Sequence, residues 1–287
     1  MNLLEVNSLS KSYKDFSLKD VSFKLEPGYI MGFIGRNGAG KTTTIKSMLN
    51  LVSKDGGSVR MNGLEFNDNE VKCKEQLGYI IGEFDCYKHH RLKTIAKVTK
   101  RFYDDWDDAL YHSYLKRFSI DENKKVDELS AGMRVKFALA LALSHNAELF
   151  IFDEPTSGLD PVSRDDLLNV FRSVVEDGKR SILFSTHIIS DLEKCADFIT
   201  YIKNGSIVLS TDVESFKQSF RLISGSKHEL EGYRHMLLGY KENAFGFTGL
   251  IRAEDLENCP NTKNAPADLE SIMIYYEKEN NNEKAAL

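Results

Sequence analysis

Nowhere in the 287 residues does an apolar run last long. The most apolar stretch, Phe137 to Leu143, is followed at once by Ser144, His145 and Asn146. That is far short of the ~20 residues a membrane-spanning helix needs, so the chain is not expected to cross a bilayer by itself. Cysteine is scarce as well: Cys73, Cys86, Cys195 and Cys259 are irregularly spaced, with no CxxC pair and no histidine at metal-ligand spacing. They read as reduced thiols of a cytoplasmic protein. The opening Met1-Asn2-Leu3-Leu4-Glu5 has neither the basic start nor the apolar core of a signal peptide. Positive charge is not in excess either, because 38 Lys and Arg face 43 Asp and Glu for a net charge of -5. A global attraction to nucleic acid or to an anionic membrane surface is thereby excluded, and any such partner must be engaged locally. There is no internal repeat, and the first low-complexity segment is the Asn-rich tail, Asn280 to Asn282.

What is present is alternation between strand and helix patterns. Short apolar runs at Leu3 to Val6 and Val21 to Leu25, separated by polar residues, predict antiparallel strands. Tyr29 to Ile34 predicts a buried strand, and Ile45, Met48, Leu49 and Val52 then follow helical spacing. From Leu92 to Phe118 the apolar positions Ile95, Val98, Phe102, Leu110, Leu115 and Phe118 favour helices, broken at the acidic cluster around Trp106. A lone Trp beside helix-starting acids reads as a packing anchor. Leu149 to Phe152 and Ser181 to Phe184 predict two further strands with helical patterns around them. Alternating strands and helices imply a parallel α/β sheet with its functional loops at the strand ends.

The segment Gly35-Arg36-Asn37-Gly38-Ala39-Gly40-Lys41-Thr42, continued by Thr43, fits GxxxxGK[ST] after a predicted strand and before a predicted helix. Its glycines let backbone N–H groups close around phosphate, and the helix N-terminus adds its dipole. Lys41 is suited to the β and γ phosphates of ATP, and the Thr42 hydroxyl to Mg²⁺. A tight turn with chance glycines is the bland alternative, and the agreement of strand, motif and helix argues against it. A second hydrophobic strand ends in Asp153 and Glu154. Adjacent acids at a strand end are often only a helix cap, but with a phosphate loop upstream Asp153 is suited to Mg²⁺ and Glu154 to polarising a water.

With these motifs in place the chain resembles the ABC ATPase family of P-loop NTPases over residues 1 to about 215. Leu129-Ser130-Ala131-Gly132-Met133 resembles the family's LSGGQ signature, although Ala131 and Met133 replace the usual Gly and Gln. Ser157-Gly158-Leu159-Asp160 looks like the D-loop, His187 like the switch histidine and Tyr13 like the adenine-stacking aromatic. Where the family has a Gln, this sequence offers Glu83, or Gly82 if the alignment shifts by one residue. An ionised carboxylate cannot donate a hydrogen bond but can bind Mg²⁺ or water. The resemblance implies catalytic roles for Glu154 and His187 and nucleotide contacts from Ser130, Gly132 and Asp160. It also implies a sandwich in which a second ATPase subunit, identical or a close paralogue, completes each site.

The same resemblance implies a membrane-spanning partner, no nucleic acid, and a place on the cytoplasmic face of the membrane. Phe84 to Lys93, with Tyr87, Lys88, His89, His90 and Arg91, lies where the family receives that partner, although a solvated basic loop is the plain alternative. A soluble ABC protein acting on ribosomes or DNA is the competing class, but neither tandem cassettes nor a long coiled coil is present. The expected organisation is an ATPase domain over residues 1–215, with an antiparallel β subdomain and helices inserted at about 88–145, and a small α+β module over 216–287. In that module Phe220 to Ile223, Leu237 to Tyr240 and Phe245 to Ile251 predict strands. Pro260 to Pro266 predicts a loop, and Leu269, Ile272, Met273 and Tyr276 predict a helix. The acidic cluster, the Gly-Met signature and the small module together resemble the single-cassette subfamily of YtrB and the phenol-soluble-modulin exporter ATPases, which implies peptide export.

Overall fold

The opening alternation becomes an antiparallel pair, β1 (Leu4–Ser12) and β2 (Ser17–Leu25), in which Leu4 faces Leu25 and Val6 faces Phe23. The continuously apolar β3 (Ile30–Ile34) is buried at every position and leads through the glycine loop into α1 (Lys41–Met48). Strands β4 (Gly56–Met61) and β5 (Leu64–Glu65) then complete a four-stranded sheet in the order β2-β1-β4-β5. The computed structural model describes residues 2–82 and 87–284, divided into two compact units at Ser210 and Thr211.

Helix α2 (Glu70–Glu75) precedes β6 (Leu77–Ile80), and the helical stretch follows as α3 (Leu92–Thr99), α4 (Asp108–Arg117) and α5 (Ala131–Ala142). The acidic cluster earns its place locally, because the Asp107 carboxylate accepts from the Leu110 N–H at 2.9 Å and caps α4. Trp106 is half-buried, its indole N–H donating to Asp108 at 2.9 Å and its ring 5.5 Å from Tyr111. After α5 come β7 (Leu149–Asp153), α6 (Pro161–Val175), β8 (Ser181–Thr186), α7 (Ile189–Cys195), β9 (Phe198–Lys203) and β10 (Ser206–Asp212).

These strands form a six-stranded sheet in the order β10-β9-β3-β8-β7-β6, and the pairs β9–β3, β3–β8, β8–β7 and β7–β6 are parallel. Strand β3 thus lies between β8 and β9, both remote from it in sequence, and the carboxyl ends of β3, β7 and β8 lie side by side. One face packs Phe33, Ile45, Met48, Ile151 and Leu183 against Leu4, Val6 and Leu9 of the antiparallel sheet. On Phe152 the Phe171 ring of α6 is stacked with centroids 5.2 Å apart. This two-sided burial holds the strand ends rigid. Among the described residues no helix is long and apolar enough to cross a membrane.

In the second unit α8 (Val213–Gln218), β11 (Phe220–Gly225), α9 (Lys227–Tyr233), β12 (Gly239–Asn243), β13 (Gly246–Arg252), β14 (Lys263–Pro266) and α10 (Leu269–Lys284) build an antiparallel sheet in the order β12-β13-β11-β14. Ile223, Leu230, Phe247, Ile251 and Cys259 form its core. The loop expected from Pro260 to Pro266 is corrected here, because Lys263–Pro266 pairs with β11, Arg221 facing Pro266 and Leu222 facing Ala265. All four residues of this edge strand are exposed, so main-chain pairing alone holds it and no hydrophobic alternation marks it.

Candidate active site

The phosphate loop joins β3 to α1. Gly40 sits at φ 116°, where an added Cβ would come within 2.9 Å of the Phe16 ring and 2.8 Å of Leu18. At Gly35 a Cβ would meet the Ile202 carbonyl at 2.4 Å, so both positions need glycine for space, and Gly40 needs it for its left-handed backbone too. Ala39 is buried behind the loop, its N–H donating to the Arg36 carbonyl at 3.0 Å. Arg36, Asn37, Gly38, Gly40, Lys41, Thr42 and Thr43 line a cavity of about 600 Å³. Lys41 is buried, and its Nζ donates to the Gly35 carbonyl at 2.7 Å and lies 3.1 Å from Glu154 Oε1.

The carboxylates arrive from β7. Asp153, 8% exposed, accepts from the Thr42 hydroxyl at 2.7 Å and from the Ser185 hydroxyl at 2.5 Å. Thr42 Oγ1 and Asp153 Oδ2 are thus two hard oxygens at one point. That donor set fits Mg²⁺, which is commonly held by one or two carboxylates together with substrate phosphate. Among the described residues no group of three His, Cys, Asp or Glu forms a metal cage of its own. Glu154 turns away from the strand at φ 51°, a left-handed conformation that a non-glycine residue adopts at a cost. That turn aims its carboxylate between two cations or donors. Oε1 meets Lys41, and Oε2 lies 2.8 Å from His187 Nδ1 at the end of β8. The Ser185 hydroxyl also accepts from the Glu154 N–H at 2.9 Å, so one serine orients both acids. Nothing in the sequence pattern singled out Ser185, which is visible only once β7 and β8 are paired.

A family model described as ABC transporter matches residues 18–157. The ABC transporter ATP-binding protein YtrB of Bacillus subtilis (strain 168) is 30% identical over 219 residues, which is 76% of this chain and 75% of YtrB. The lantibiotic transport ATP-binding protein SrtF of Streptococcus pyogenes is 32% identical over 215 residues, 74% of this chain and 92% of SrtF. The chain belongs to the ABC transporter ATP-binding family. It is an ATPase, the ATP-binding subunit of a transporter. Its fold is also that of the ATP-binding cassette MJ0796, solved as a dimer in a post-hydrolysis state with ADP and Pi. The TM-score is 0.65 at 21% identity, covering 73% of this chain and 98% of that one.

The remaining ABC motifs fall in other places. Asp15 and Phe16 line the cavity, whereas Tyr13 does not. Its ring is 48% exposed under the Lys11 ammonium at 5.6 Å, and its N–H donates to the Phe16 carbonyl across the β1–β2 turn at 2.7 Å. That turn carries Phe16 back toward the loop, an outcome invisible in an aromatic met alone in sequence. Ser157 joins Glu154 and His187 in the lining, but Ser130, Gly132 and Asp160 are absent from it.

Ser130 caps α5, accepting from the Met133 N–H at 3.2 Å. A Cβ on Gly132 would touch Leu159 at 3.1 Å, so signature and D-loop of one chain adjoin each other. Asp160 caps α6 through the N–H groups of Val162 and Ser163, and hydrogen bonds from Ser163 hold its carboxyl below the usual range. Glu83 lies outside the described residues. Gly82, the alternative, follows β6 at φ 70°.

Proposed function

We propose that the cavity binds ATP with Lys41 against the β and γ phosphates, and that Thr42 and Asp153 hold the Mg²⁺, which supplies charge neutralisation on those phosphates. Glu154 polarises the attacking water as general base, and His187 fixes the orientation of the Glu154 carboxylate through the 2.8 Å contact. The contact of Glu154 with both Lys41 and His187 is the observation that carries this reading. Ser130, Gly132 and Asp160 act on the nucleotide of a second ATPase subunit. Their absence from the cavity lining supports this reading, as does the dimer formed by MJ0796.

The membrane partner docks in a second cavity of about 670 Å³, lined by Val71, Tyr79, Tyr87, Val98, Phe102 and Tyr103 among others. Val98 and Phe102, expected on an apolar helical stripe, are 49% and 72% exposed here. Exposed apolar side chains gathered in one groove suit an amphipathic helix laid into it. Tyr87 and His90 in this lining belong to the basic segment noted in the sequence, of which residues 84–86 lie outside the described residues. The complex sits on the cytoplasmic face of the membrane. Its cargo is a peptide or another amphipathic molecule moved outward, a reading supported by the similarity to the lantibiotic transport protein SrtF.

Affinity purification from detergent-solubilised membranes tests this assignment. A polytopic membrane protein is expected to accompany the chain, and Val98→Asp is expected to lose it while basal ATP hydrolysis persists. Co-sedimentation with ribosomes in place of a membrane protein would move the chain to the soluble ABC class. ATPase activity of the reconstituted complex that ignores a cationic amphipathic peptide would remove the cargo assignment alone.

A further inference from the structure

Seven buried side-chain polar atoms lack a hydrogen bond among the described residues, and four of them gather at one place: both carboxylate oxygens of Asp191, the Thr156 hydroxyl and Arg164 Nε. Orphaned polar groups are costly and rare in a folded interior, so a cluster of mutually complementary ones needs a reason. Asp191 is fully buried on α7, the helix that starts two residues after His187. Arg164, in the first turn of α6, stands 3.9 Å from Asp191 Oδ1 through Nε, while its Nη2 donates to the Leu159 carbonyl at 3.4 Å. Thr156 and Leu159 both belong to the loop that connects Glu154 to Asp160. Burial raises the Asp191 pKa, with the Thr156 hydroxyl and the Arg164 guanidinium opposing it.

The three side chains thus meet across the seam between the helix behind His187 and the loop behind Glu154, with Arg164 and Asp191 3.9 Å apart, beyond hydrogen-bonding distance. Elsewhere the seam is already fastened, since Lys194 of α7 donates to Asp165 of α6 at 2.7 Å. A shift of roughly 1 Å suffices to turn the loose approach of Arg164 and Asp191 into a charge-assisted hydrogen bond. We infer that Asp191 is a positioning residue for ATP hydrolysis: through Arg164 and Thr156 it latches loop 156–160 to the His187 helix and so sets the geometry of Glu154 and Asp160. The inference rests on the roles proposed above for Glu154 and His187. It assigns a task to a buried acid that touches neither nucleotide nor metal.

Asp191→Asn keeps the shape of the side chain and removes its charge. In the full-length ATPase its kcat is expected to fall roughly ten-fold, with affinity for a fluorescent ATP analogue and the melting temperature close to wild type. Arg164→Gln is expected to lower kcat alike, and the double variant to be no slower than either single one, because both break the same latch. Wild-type kcat in Asp191→Asn, or additive losses in the double variant, would overturn the inference. So would a loss of kcat matched by an equal loss of ATP affinity. If Asp191→Asn does not fold, the partly exposed Arg164→Gln carries the test, and wild-type kcat there overturns it too. Glu154→Gln measured alongside separates the two failures. Normal hydrolysis in that variant removes the site assignment, whereas normal hydrolysis in the Asp191 and Arg164 variants alone removes the latch.

Discussion

A single residue in this site serves more than one partner, and that is where its chemistry comes from. Glu154 contacts Lys41 and His187 at once, and Ser185 touches both acids. Buried Lys41 is held by the Glu154 carboxylate and by the Gly35 and Arg36 carbonyl oxygens, partners that an incoming triphosphate is proposed to displace in part. The base of the nucleotide poses a different question, since the aromatic suggested by sequence position, Tyr13, lies outside the cavity lining and Phe16 lies within it. Phe16→Ala is expected to weaken ATP binding by about 1 to 3 kcal/mol, the scale of aromatic stacking on a nucleobase. Tyr13→Ala is expected to weaken it less. Titration with a fluorescent ATP analogue ranks the two, and a larger loss in Tyr13→Ala would return the stacking role to Tyr13.

Among the elements, the join between the helical stretch and the sheet depends on a histidine. His145 follows α5 and is buried, stacked on Tyr103 with ring centroids 3.8 Å apart, with Nε2 lying 3.2 Å from the Leu77 carbonyl at the start of β6. Burial lowers its pKa from 6.5, outweighing the hydrogen bonds to backbone carbonyls that act the other way. The sign follows from linkage. Below the unfolded value the unfolded chain binds a proton that the folded chain refuses, so stability falls as pH drops from about 6.5 through the lowered folded value. The fall in melting temperature between about pH 7.5 and about pH 5.5 is therefore expected to be larger in wild type than in His145→Gln. Equal falls would show that His145 titrates alike in the folded and unfolded states, so that its burial does not contribute to the pH dependence. The helices themselves were legible in the sequence, through the helix-starting acids around Trp106 and the spacing of Ile95 and Leu115. The exposed placement of Val98 and Phe102 was not, because periodicity identifies an apolar face without saying what covers it.

For the whole molecule, the decisive property is that one chain presents the phosphate loop and the signature as separate surfaces. Gly132 adjoins Leu159, and Ser130, Gly132 and Leu159 are all absent from the cavity lining. Glu154→Gln is expected to lower hydrolysis by about 10² to 10⁴, the range of a positioned general base, while ATP binding survives. With ATP and Mg²⁺ that variant is expected to elute as a dimer in size-exclusion chromatography. Adding Ser130→Arg is expected to return it to monomer by placing bulk and charge in the sandwich. A Glu154→Gln dimer indifferent to Ser130→Arg would remove the signature from the nucleotide contact.

Some of this was settled by sequence alone. A phosphate loop is a run of contiguous residues whose backbone needs and side-chain chemistry are local, so Gly35 to Thr42 and the Asp153-Glu154 pair could be recognised from spacing and flanking strands. The family followed from these motifs and the signature, and the alternation of strand and helix patterns had already implied the α/β fold. The tertiary structure decided whatever depends on strand order. Pairing β8 between β3 and β7 is what brings His187 and Ser185 to acids more than thirty residues away. The same order sets α7 against α6 and gathers Asp191, Arg164 and Thr156, three ordinary polar residues in the sequence, into one buried cluster. Contacts of this kind carry no local signature, because their energy comes from desolvation and partner geometry that exist only after the sheet has formed.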